Sequence, residues 1–295
     1  MALPGGEGCL FGWCGAKPTP YMRLMLLRRC GTGPLTDFLH KGWKLFSSSR
    51  EMEAWIEHAY PAVNAALADP QNEKSFLYGN TWFVGTSALP NNKLGAVNGG
   101  PALSGDVVDF IERYLRLPAF EWDRGQVSVC FPGYPKPILG KPESTHRFRL
   151  KRDGAHIDGL LAEGSKRRRF IREHHAFVMG IPLVHVDREM SPFVIWEGSH
   201  QTIRRAFQNA LFGIDPEDWH AVDVTDVYHA ARREVFETCP RIEITALRGQ
   251  AYVVHRLALH GVAPWYGEAG THSRGRAVVY FRPAFMSAED WLFHP

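Results

Sequence analysis

The stretch RFRLKRDGAHIDGLL (Arg147–Leu161) contains the pair of residues from which the interpretation of this chain starts. His156 and Asp158 are two residues apart, so on an extended backbone both side chains leave the same face. One short segment then offers an imidazole nitrogen and a carboxylate oxygen to a single metal ion. An isolated H-x-D pattern is a weak signal, because it often arises by chance and needs a third ligand from another strand.

The third ligand is expected from ALHGVAPW (Ala258–Trp265), about a hundred residues further along the chain. We place His260 at the end of the strand begun by GQAYVV (Gly249–Val254). Two histidines and one carboxylate on one face of an octahedron leave three positions open, as in the facial triad of non-haem Fe(II) oxygenases. His255, five residues earlier, would point to the opposite face of a shared strand and is the weaker candidate.

The order of four motifs resembles the phytanoyl-CoA dioxygenase-like family of Fe(II)/2-oxoglutarate oxygenases. After H-x-D come SPFVIWEGSHQ (Ser191–Gln201), LHG (Leu259–Gly261) and RGRAVVYFRP (Arg274–Pro283). The resemblance covers roughly residues 125–285. The chain departs from the family pattern at Trp196-Glu197, where the family often has proline, and in a longer gap between the second histidine and the following arginine.

The resemblance implies that His156, Asp158 and His260 bind Fe(II), with 2-oxoglutarate and O2 as co-substrates. It also implies an arginine whose planar fork grips the far carboxylate of 2-oxoglutarate. Arg274 and Arg276 both qualify, and we favour Arg276 because it directly opens the apolar run AVVYF. The alternative for either is a surface arginine paired with an acid.

The implied reaction is hydroxylation, desaturation or cyclisation of a small molecule, with conversion of 2-oxoglutarate into succinate and CO2. Related halogenases have a small residue at the position of Asp158, so the aspartate favours oxygenation over halogenation. We expect the metal to supply the reactivity and the protein to supply geometry and exclusion of water.

The substrate is less well indicated. Trp196, Trp265 and Arg169 are candidates for the substrate pocket. Arg169 belongs to the basic run SKRRRFIRE (Ser165–Glu173), which is either a solvated face or a lid that attracts an anionic group. The expected partner is a small molecule, with an anionic one among the candidates.

The predicted fold is mainly β with flanking helices, built on a double-stranded β-helix (jelly-roll or cupin-like) core. Helices are predicted at about 49–68, capped by Ser48 with Glu51, and at about 105–116. A helical insertion is predicted at about 201–237, and we divide the chain into an N-terminal extension, 1–100, and a core, 101–295. The expected strands are short and punctuated by Gly and Pro: 126–131, 147–150, 176–182, 193–196, 241–244, 250–254 and 276–282.

Composition narrows the class of protein. The 295 residues carry a formal charge of only +3, which gives little support to nucleic-acid binding. No apolar run approaches the roughly 18 residues of a membrane span, and no secretory signal is recognisable. Five cysteines, three of them at Cys9, Cys14 and Cys30, lack the spacing of a zinc site or a disulfide framework. The expected location is therefore the cytoplasm.

Three other functions remain open. Arg276 and Arg282 are six residues apart, as in the alkylation-repair demethylases, although Val278 and Tyr280 replace the Asn and Thr found there. A non-redox, cupin-type metal protein is the second alternative. The third is a jelly-roll binding protein in which the H-x-D pattern is incidental.

Overall fold

The computed structural model describes residues 33–117, 120–268 and 275–294. Cys9, Cys14, Cys30 and Arg274 lie outside these ranges. The first strands are β1 (Trp43–Phe46), β2 (Phe76–Leu77), β3 (Trp82–Gly85), β4 (Gln126–Cys130), β5 (Leu160–Glu163) and β6 (Arg168–Ile171). They are followed by β7 (Phe177–Pro182), β8 (Phe193–Trp196), β9 (Arg241–Ile244), β10 (Ala251–His255), β11 (His260–Val262) and β12 (Arg276–Phe281).

The strands form two antiparallel sheets that face each other, and a separate β5–β6 hairpin. The large sheet has the order β1-β10-β7-β12-β4-β3-β2, and the small sheet has the order β11-β8-β9. Consecutive strands cross between the sheets: β7 is in the large sheet, β8 and β9 in the small one, β10 in the large, β11 in the small and β12 in the large. This winding is a double-stranded β-helix, so the predicted fold class is confirmed.

The large sheet is apolar on both faces, because successive side chains of a strand point to opposite sides. In β12, Ala277, Val279 and Phe281 belong to the core on the outer face, where the N-terminal helices pack. Val278 and Tyr280 point the other way, into the core between the two sheets. The run AVVYF is therefore a strand buried on both faces.

Helices cover the outer faces of both sheets. On the large sheet lie α1 (Pro34–Lys41), α2 (Arg50–Ala68) and α3 (Asp106–Arg113). On the small sheet lie α5 (Ser199–Ala210), a 3-10 helix (Pro216–Ala221) and α6 (Thr225–Thr238), which confirm the predicted helical insertion. The remaining helices are α4 (Glu143–Arg152), before the H-x-D motif, and the C-terminal α7 (Ala288–Phe293). No helix of the described ranges is long and apolar enough to cross a membrane.

The predicted strand at 147–150 is wrong, because these residues lie within α4. Alternating basic and apolar residues suggested a half-buried strand, yet α4 has no buried residue. The charge pattern suits a helix: Glu143 is in the first turn, and Arg149, Lys151 and Arg152 are in the last.

The predicted placement of His260 at the end of the GQAYVV strand is also wrong. Strand β10 ends at His255, and His260 begins β11 in the opposite sheet. His255 and His260 are therefore separated by a crossing between sheets and not by faces of one strand. The division at residue 100 stays a prediction; β1, β2 and β3, all from before that boundary, belong to the large sheet.

The cap of α2 is Ser49 and not the predicted Ser48. The Ser49 hydroxyl accepts a hydrogen bond from the backbone N–H of Met52, at 3.2 Å. Ser48, one residue earlier, is exposed.

We expect Ser49→Ala to lower the free energy of unfolding by about 1 kcal/mol, because it leaves a helix N–H without its acceptor. Urea denaturation measures this change. Ser48→Ala is the matched control and should change stability by much less. Equal losses in the two variants would contradict the assignment of the cap.

Candidate metal centre

The backbones of the two predicted histidine ligands are paired directly. His156 N–H donates to the His260 carbonyl at 2.8 Å, and His260 N–H donates to the His156 carbonyl at 2.9 Å. His260 is also in register with Ile195 of β8, so the H-x-D segment forms an extra edge beside β11 in the small sheet. Residues 104 positions apart in the chain are thus brought side by side by ordinary ladder hydrogen bonds.

Both imidazole rings are held in the same way. His156 Nδ1 lies 3.0 Å from the Gly154 carbonyl, and His260 Nδ1 lies 2.9 Å from the Ala258 carbonyl. A carbonyl only accepts, so each Nδ1 carries a proton, and in the neutral ring the lone pair is then on Nε2. The ring of His260 also stacks on Phe193, with centroids 5.3 Å apart. Neutral rings with oriented Nε2 atoms are what a metal ligand requires.

The three donor groups converge on one point. His156 Nε2 is 3.4 Å from Asp158 Oδ1, and His260 Nε2 is 3.7 Å from Asp158 Oδ2. All three ligand atoms lie within 4.8 Å of one another. Ligands about 2.1 Å from an ion and at right angles to each other are about 3 Å apart, so the spacing suits adjacent corners of one coordination shell. The predicted triad is therefore present as a group able to hold a metal.

Asp158 is kept ionised by its surroundings. Burial by itself would raise the pKa of Asp158, but His260, His156 and Arg282 outweigh burial and hold its pKa well below the usual range. Arg282 Nη1 is 3.4 Å from Asp158 Oδ2, and Arg282 Nη2 donates to Gln126 Oε1 at 2.5 Å. Burial lowers the pKa of His156, which favours the neutral ring. Both shifts favour the protonation states that bind a cation.

The loop before His156 is tied to the small sheet. Arg241 of β9 makes a two-pronged ion pair with the buried Asp153, with distances of 2.7 and 2.8 Å. The Asp153 carbonyl accepts from Val262 N–H at 3.0 Å. A Cβ on Gly261 would stand 2.4 Å from that carbonyl, so only glycine allows the loop to come this close. The H-x-D segment is thereby held by the Arg241–Asp153 ion pair as well as by its own strand pairing with β11.

The triad lines a cavity of about 170 Å³ between the two sheets. Its apolar walls are Trp82, Val84, Val178, Phe193, Val262 and Tyr280. Polar groups are contributed by Gln126, Ser128 and Arg282. The side chain of His156 is 46% exposed, whereas Asp158 and His260 are 11% and 5% exposed. The site is therefore reached from the side of His156.

Two of the three predicted pocket residues lie elsewhere, and the third lies nearby. Trp196 is buried under the insertion helices, with its ring against Phe236. Arg169 bonds the Leu160 carbonyl within the β5–β6 hairpin. Trp265 packs with Cys130 and Tyr134 beside the cavity but does not line it. The pocket assignment of all three stays a prediction.

Two arginines of the basic run form ion pairs with carboxylates. Arg168 pairs with Asp223 at 2.5 Å and with Asp226 at 2.8 Å, and Arg172 pairs with Glu163 at 2.5 Å. These contacts agree with a solvated face and give no support to a lid that attracts anions.

Arg276 is buried on the interior face of β12, with an exposed fraction of 1%. Its Nη2 donates to the Tyr280 hydroxyl at 2.8 Å, and the Tyr252 and Tyr280 hydroxyls are 3.1 Å apart. Its Nε and Nη1 have no hydrogen-bond partner. No carboxylate of the described residues pairs with this guanidinium, and Tyr280, its hydrogen-bond partner, lines the metal cavity.

Several supporting residues were missed or given no role from the sequence. Ser199, in the EGSH motif, accepts from Leu259 N–H at 2.8 Å and so fixes the residue before His260. Asp153 and Arg241 hold the loop, and Arg282 was considered only for the demethylase alternative. Arg282 had a signal, its six-residue spacing from Arg276. The pair Asp153–Arg241 is 88 residues apart and had none.

No model of a known protein family matches the chain, and no curated protein matches it. Among solved structures, it is similar to the non-haem α-ketoglutarate-dependent carbocyclase SnoK from nogalamycin biosynthesis, at 13% identity and a TM-score of 0.49, covering 91% of this chain and 87% of that one. It is also similar to the epimerase SnoN in complex with Fe3+, α-ketoglutarate and nogalamycin RO, at 12% identity and a TM-score of 0.46, covering 86% and 83%. A third is HygX from Streptomyces hygroscopicus with nickel, 2-oxoglutarate and hygromycin B, at 13% and 0.41, covering 84% and 85%. With likeness this distant, the function of the chain has to be argued from its own side chains.

We expect Arg241→Gln to weaken Ni(II) binding by about tenfold, because the loop that carries His156 loses its anchor. The free energy of unfolding should fall by about 1–3 kcal/mol, since the buried Asp153 carboxylate loses its partner. Titration calorimetry and urea denaturation measure the two effects.

The control is Arg188→Gln, whose contact with Glu243 is long, at 3.8 Å, and whose side chain is 82% exposed. This variant should leave both quantities unchanged. Unchanged Ni(II) affinity in Arg241→Gln would contradict a positioning role for the ion pair.

Proposed function

We propose that the chain is an Fe(II)- and 2-oxoglutarate-dependent oxygenase that acts on a small molecule. The donor set supports the metal: two neutral imidazoles and one carboxylate on one side of an ion fit Fe(II) and leave positions open for further ligands. The order of motifs, similar to that of the phytanoyl-CoA dioxygenase-like family, supports the same assignment.

The observation that carries the proposal is that the Arg276 guanidinium is buried without an acid partner among the described residues. A guanidinium sealed from water without an acid partner is costly, and such groups are normally paired. Arg276 offers two unbonded N–H groups, Nε and Nη1, on the interior face that also bears Tyr280 and Arg282. A dicarboxylate with one end at the metal and the other at Arg276 would supply the missing partner. A plain metal-binding cupin has no need of this arrangement.

The surroundings of Arg276 are shaped for such a ligand. A Cβ on Gly180 of β7 would stand 2.3 Å from the ring of Tyr252, so glycine lets that ring lie flat against the strand. Tyr252 and Tyr280 then form a hydroxyl pair that orients one Nη atom of Arg276 and leaves the rest of its fork free. The buried Ser191 hydroxyl also has no hydrogen-bond partner. Like Arg276, it lies beside the Cys130 thiol.

The bound iron would supply oxidative chemistry with 2-oxoglutarate and O2. The side chains of the chain hold and shield the reacting groups. His156, Asp158 and His260 would hold the ion, while Arg282, 3.4 Å from Asp158 Oδ2, would keep the carboxylate in place. Val178, Phe193 and Val262 exclude water from the cavity, and the open side at His156 admits the substrate. Hydroxylation, desaturation and cyclisation all remain compatible with this arrangement.

The test is anaerobic addition of Fe(II) and 2-oxoglutarate, with observation of the weak charge-transfer band in the visible region. We expect the band in the unmodified protein and its loss in His260→Ala. Absence of the band in the unmodified protein would overturn the proposal and favour a non-redox, cupin-type metal protein.

We expect Arg276→Ala to raise the Kd for 2-oxoglutarate at least tenfold while Ni(II) binding is retained, because only the far carboxylate loses its partner. Titration of the band with 2-oxoglutarate, and calorimetry with Ni(II), separate the two effects. Arg274→Ala is the matched control and should resemble the unmodified protein. The reverse result would move the role from Arg276 to Arg274.

A further inference from the structure

A second guanidinium lies close to the metal loop without an acid partner. Arg149, in the last turn of α4, stacks on Tyr78 and on Trp82, with its guanidinium carbon 4.7 and 4.9 Å from the ring centroids. Its Nη1 donates to the Tyr134 hydroxyl at 2.6 Å. The three rings also contact one another, with centroids 5.5–5.8 Å apart. We call Tyr78, Trp82 and Tyr134 the aromatic box.

Arg149, like Arg276, differs from several other arginines of the described residues in having no acid partner. Arg168, Arg172 and Arg241 each pair with carboxylates. For Arg149, no carboxylate of the described residues lies within ion-pair distance, and the Tyr134 hydroxyl is its one hydrogen-bond partner there. The side chain is half-buried, and its remaining N–H groups are not sealed from solvent. The box thus fixes the position of a positive charge and leaves its donors free.

The box places this charge beside the metal centre. A Cβ on Gly154 would stand 2.5 Å from the guanidinium carbon, so Arg149 packs on the residue whose carbonyl holds His156 Nδ1. Trp82 lines the metal cavity. Tyr78 lines a neighbouring cleft, to which Lys141, Glu143 and His146 also contribute. Arg149 therefore packs between Trp82, which lines the cavity, and Tyr78, which lines the outer cleft.

The segment around Arg149 is strongly basic. Residues 132–152 contain Lys136, Lys141, Arg147, Arg149, Lys151 and Arg152 against a single acid, Glu143, which pairs with Arg147. The segment that carries Arg149 therefore has an excess of positive charge. A fixed guanidinium in a partly water-excluded box is a suitable recognition group for a carboxylate or a phosphate.

We infer that Arg149 and the aromatic box recognise an anionic group of the substrate, a carboxylate or a phosphate, whose apolar body lies between Trp82 and Phe193 in the metal cavity. This inference rests on the proposed function, since it assigns the substrate class of the same site. It places substrate selection on α4 and not on the basic run 165–173.

The test uses protein loaded with Ni(II) and 2-oxoglutarate, so that no turnover occurs and Arg276 is already occupied. The probes are phenylacetate, phenyl phosphate and the neutral benzyl alcohol, with binding followed by ligand-observed NMR. We expect at least one of the anions to bind at least tenfold more tightly than benzyl alcohol. The affinities of phenylacetate and phenyl phosphate then show whether a carboxylate or a phosphate is preferred. Arg149→Gln should abolish this preference without changing the affinity for benzyl alcohol.

Arg147→Gln is the matched control, because it removes a charge from the same helix at an exposed position paired with Glu143. It should keep the preference for anions. Equal anion affinity in Arg149→Gln and the unmodified protein would overturn the inference, as would the absence of any anion preference. Failure of the unmodified protein to take up Ni(II) and 2-oxoglutarate would instead overturn the proposed function and this inference with it.

A second measurement does not depend on the folding of a variant. Phenylglyoxal modifies accessible arginines. Mass spectrometry then reports the labelling of Arg149 in the protein without substitutions, loaded with Ni(II) and 2-oxoglutarate. Saturating phenylacetate or phenyl phosphate should slow this labelling severalfold, whereas benzyl alcohol should not. Labelling of Arg149 at the same rate with and without either anion would contradict the inference.

Discussion

The pair of backbone hydrogen bonds between His156 and His260 is the constraint on which the site depends. Each residue donates its backbone N–H to the carbonyl of the other, so their Cα atoms are opposite each other. Their rings therefore leave the sheet as neighbours. Asp158, two residues on, then turns back toward both Nε2 atoms. A slip of one residue would send one ring to the other face. The geometry of the candidate metal centre therefore depends first on strand register and then on side-chain chemistry.

Register at this point is secured from several directions. Ser199 bonds the residue before His260, Arg241 anchors the loop before His156, and Gly261 permits the close approach of that loop. The EGSH motif, which resembles a family signature, thus has a structural explanation: it begins α5 and at the same time fixes β11. Supports of this kind need no direct contact with a metal in order to determine its geometry.

Four arginines near the site illustrate how environment assigns different roles to one residue type. Arg241 forms an ion pair with Asp153, and Arg282 contacts both Asp158 and Gln126. Arg276 is sealed in the interior, and Arg149 is held by aromatic rings; neither has an acid partner among the described residues. Buried or box-held cations without counter-ions are the groups for which an anionic ligand is expected. The proposals for 2-oxoglutarate and for the substrate follow from this contrast.

From the sequence alone, residue types and spacing predicted the β-rich core and the helical insertion, and together with the resemblance of four ordered motifs to a known family they predicted the triad His156, Asp158 and His260. The elements follow from local rules, the two-residue period of a strand and helical periodicity, and the triad from the donor types that metal ions prefer and the order of the motifs. Only the tertiary structure decided that residues 147–150 are helical, that His260 begins a strand in the opposite sheet, and which arginines have partners. Ion pairs and aromatic contacts such as Arg241–Asp153 and Arg149–Trp82 join residues far apart in the chain, so no local pattern predicts them. These contacts distinguish an arginine that is already paired with an acid from one that is still able to bind an anionic ligand.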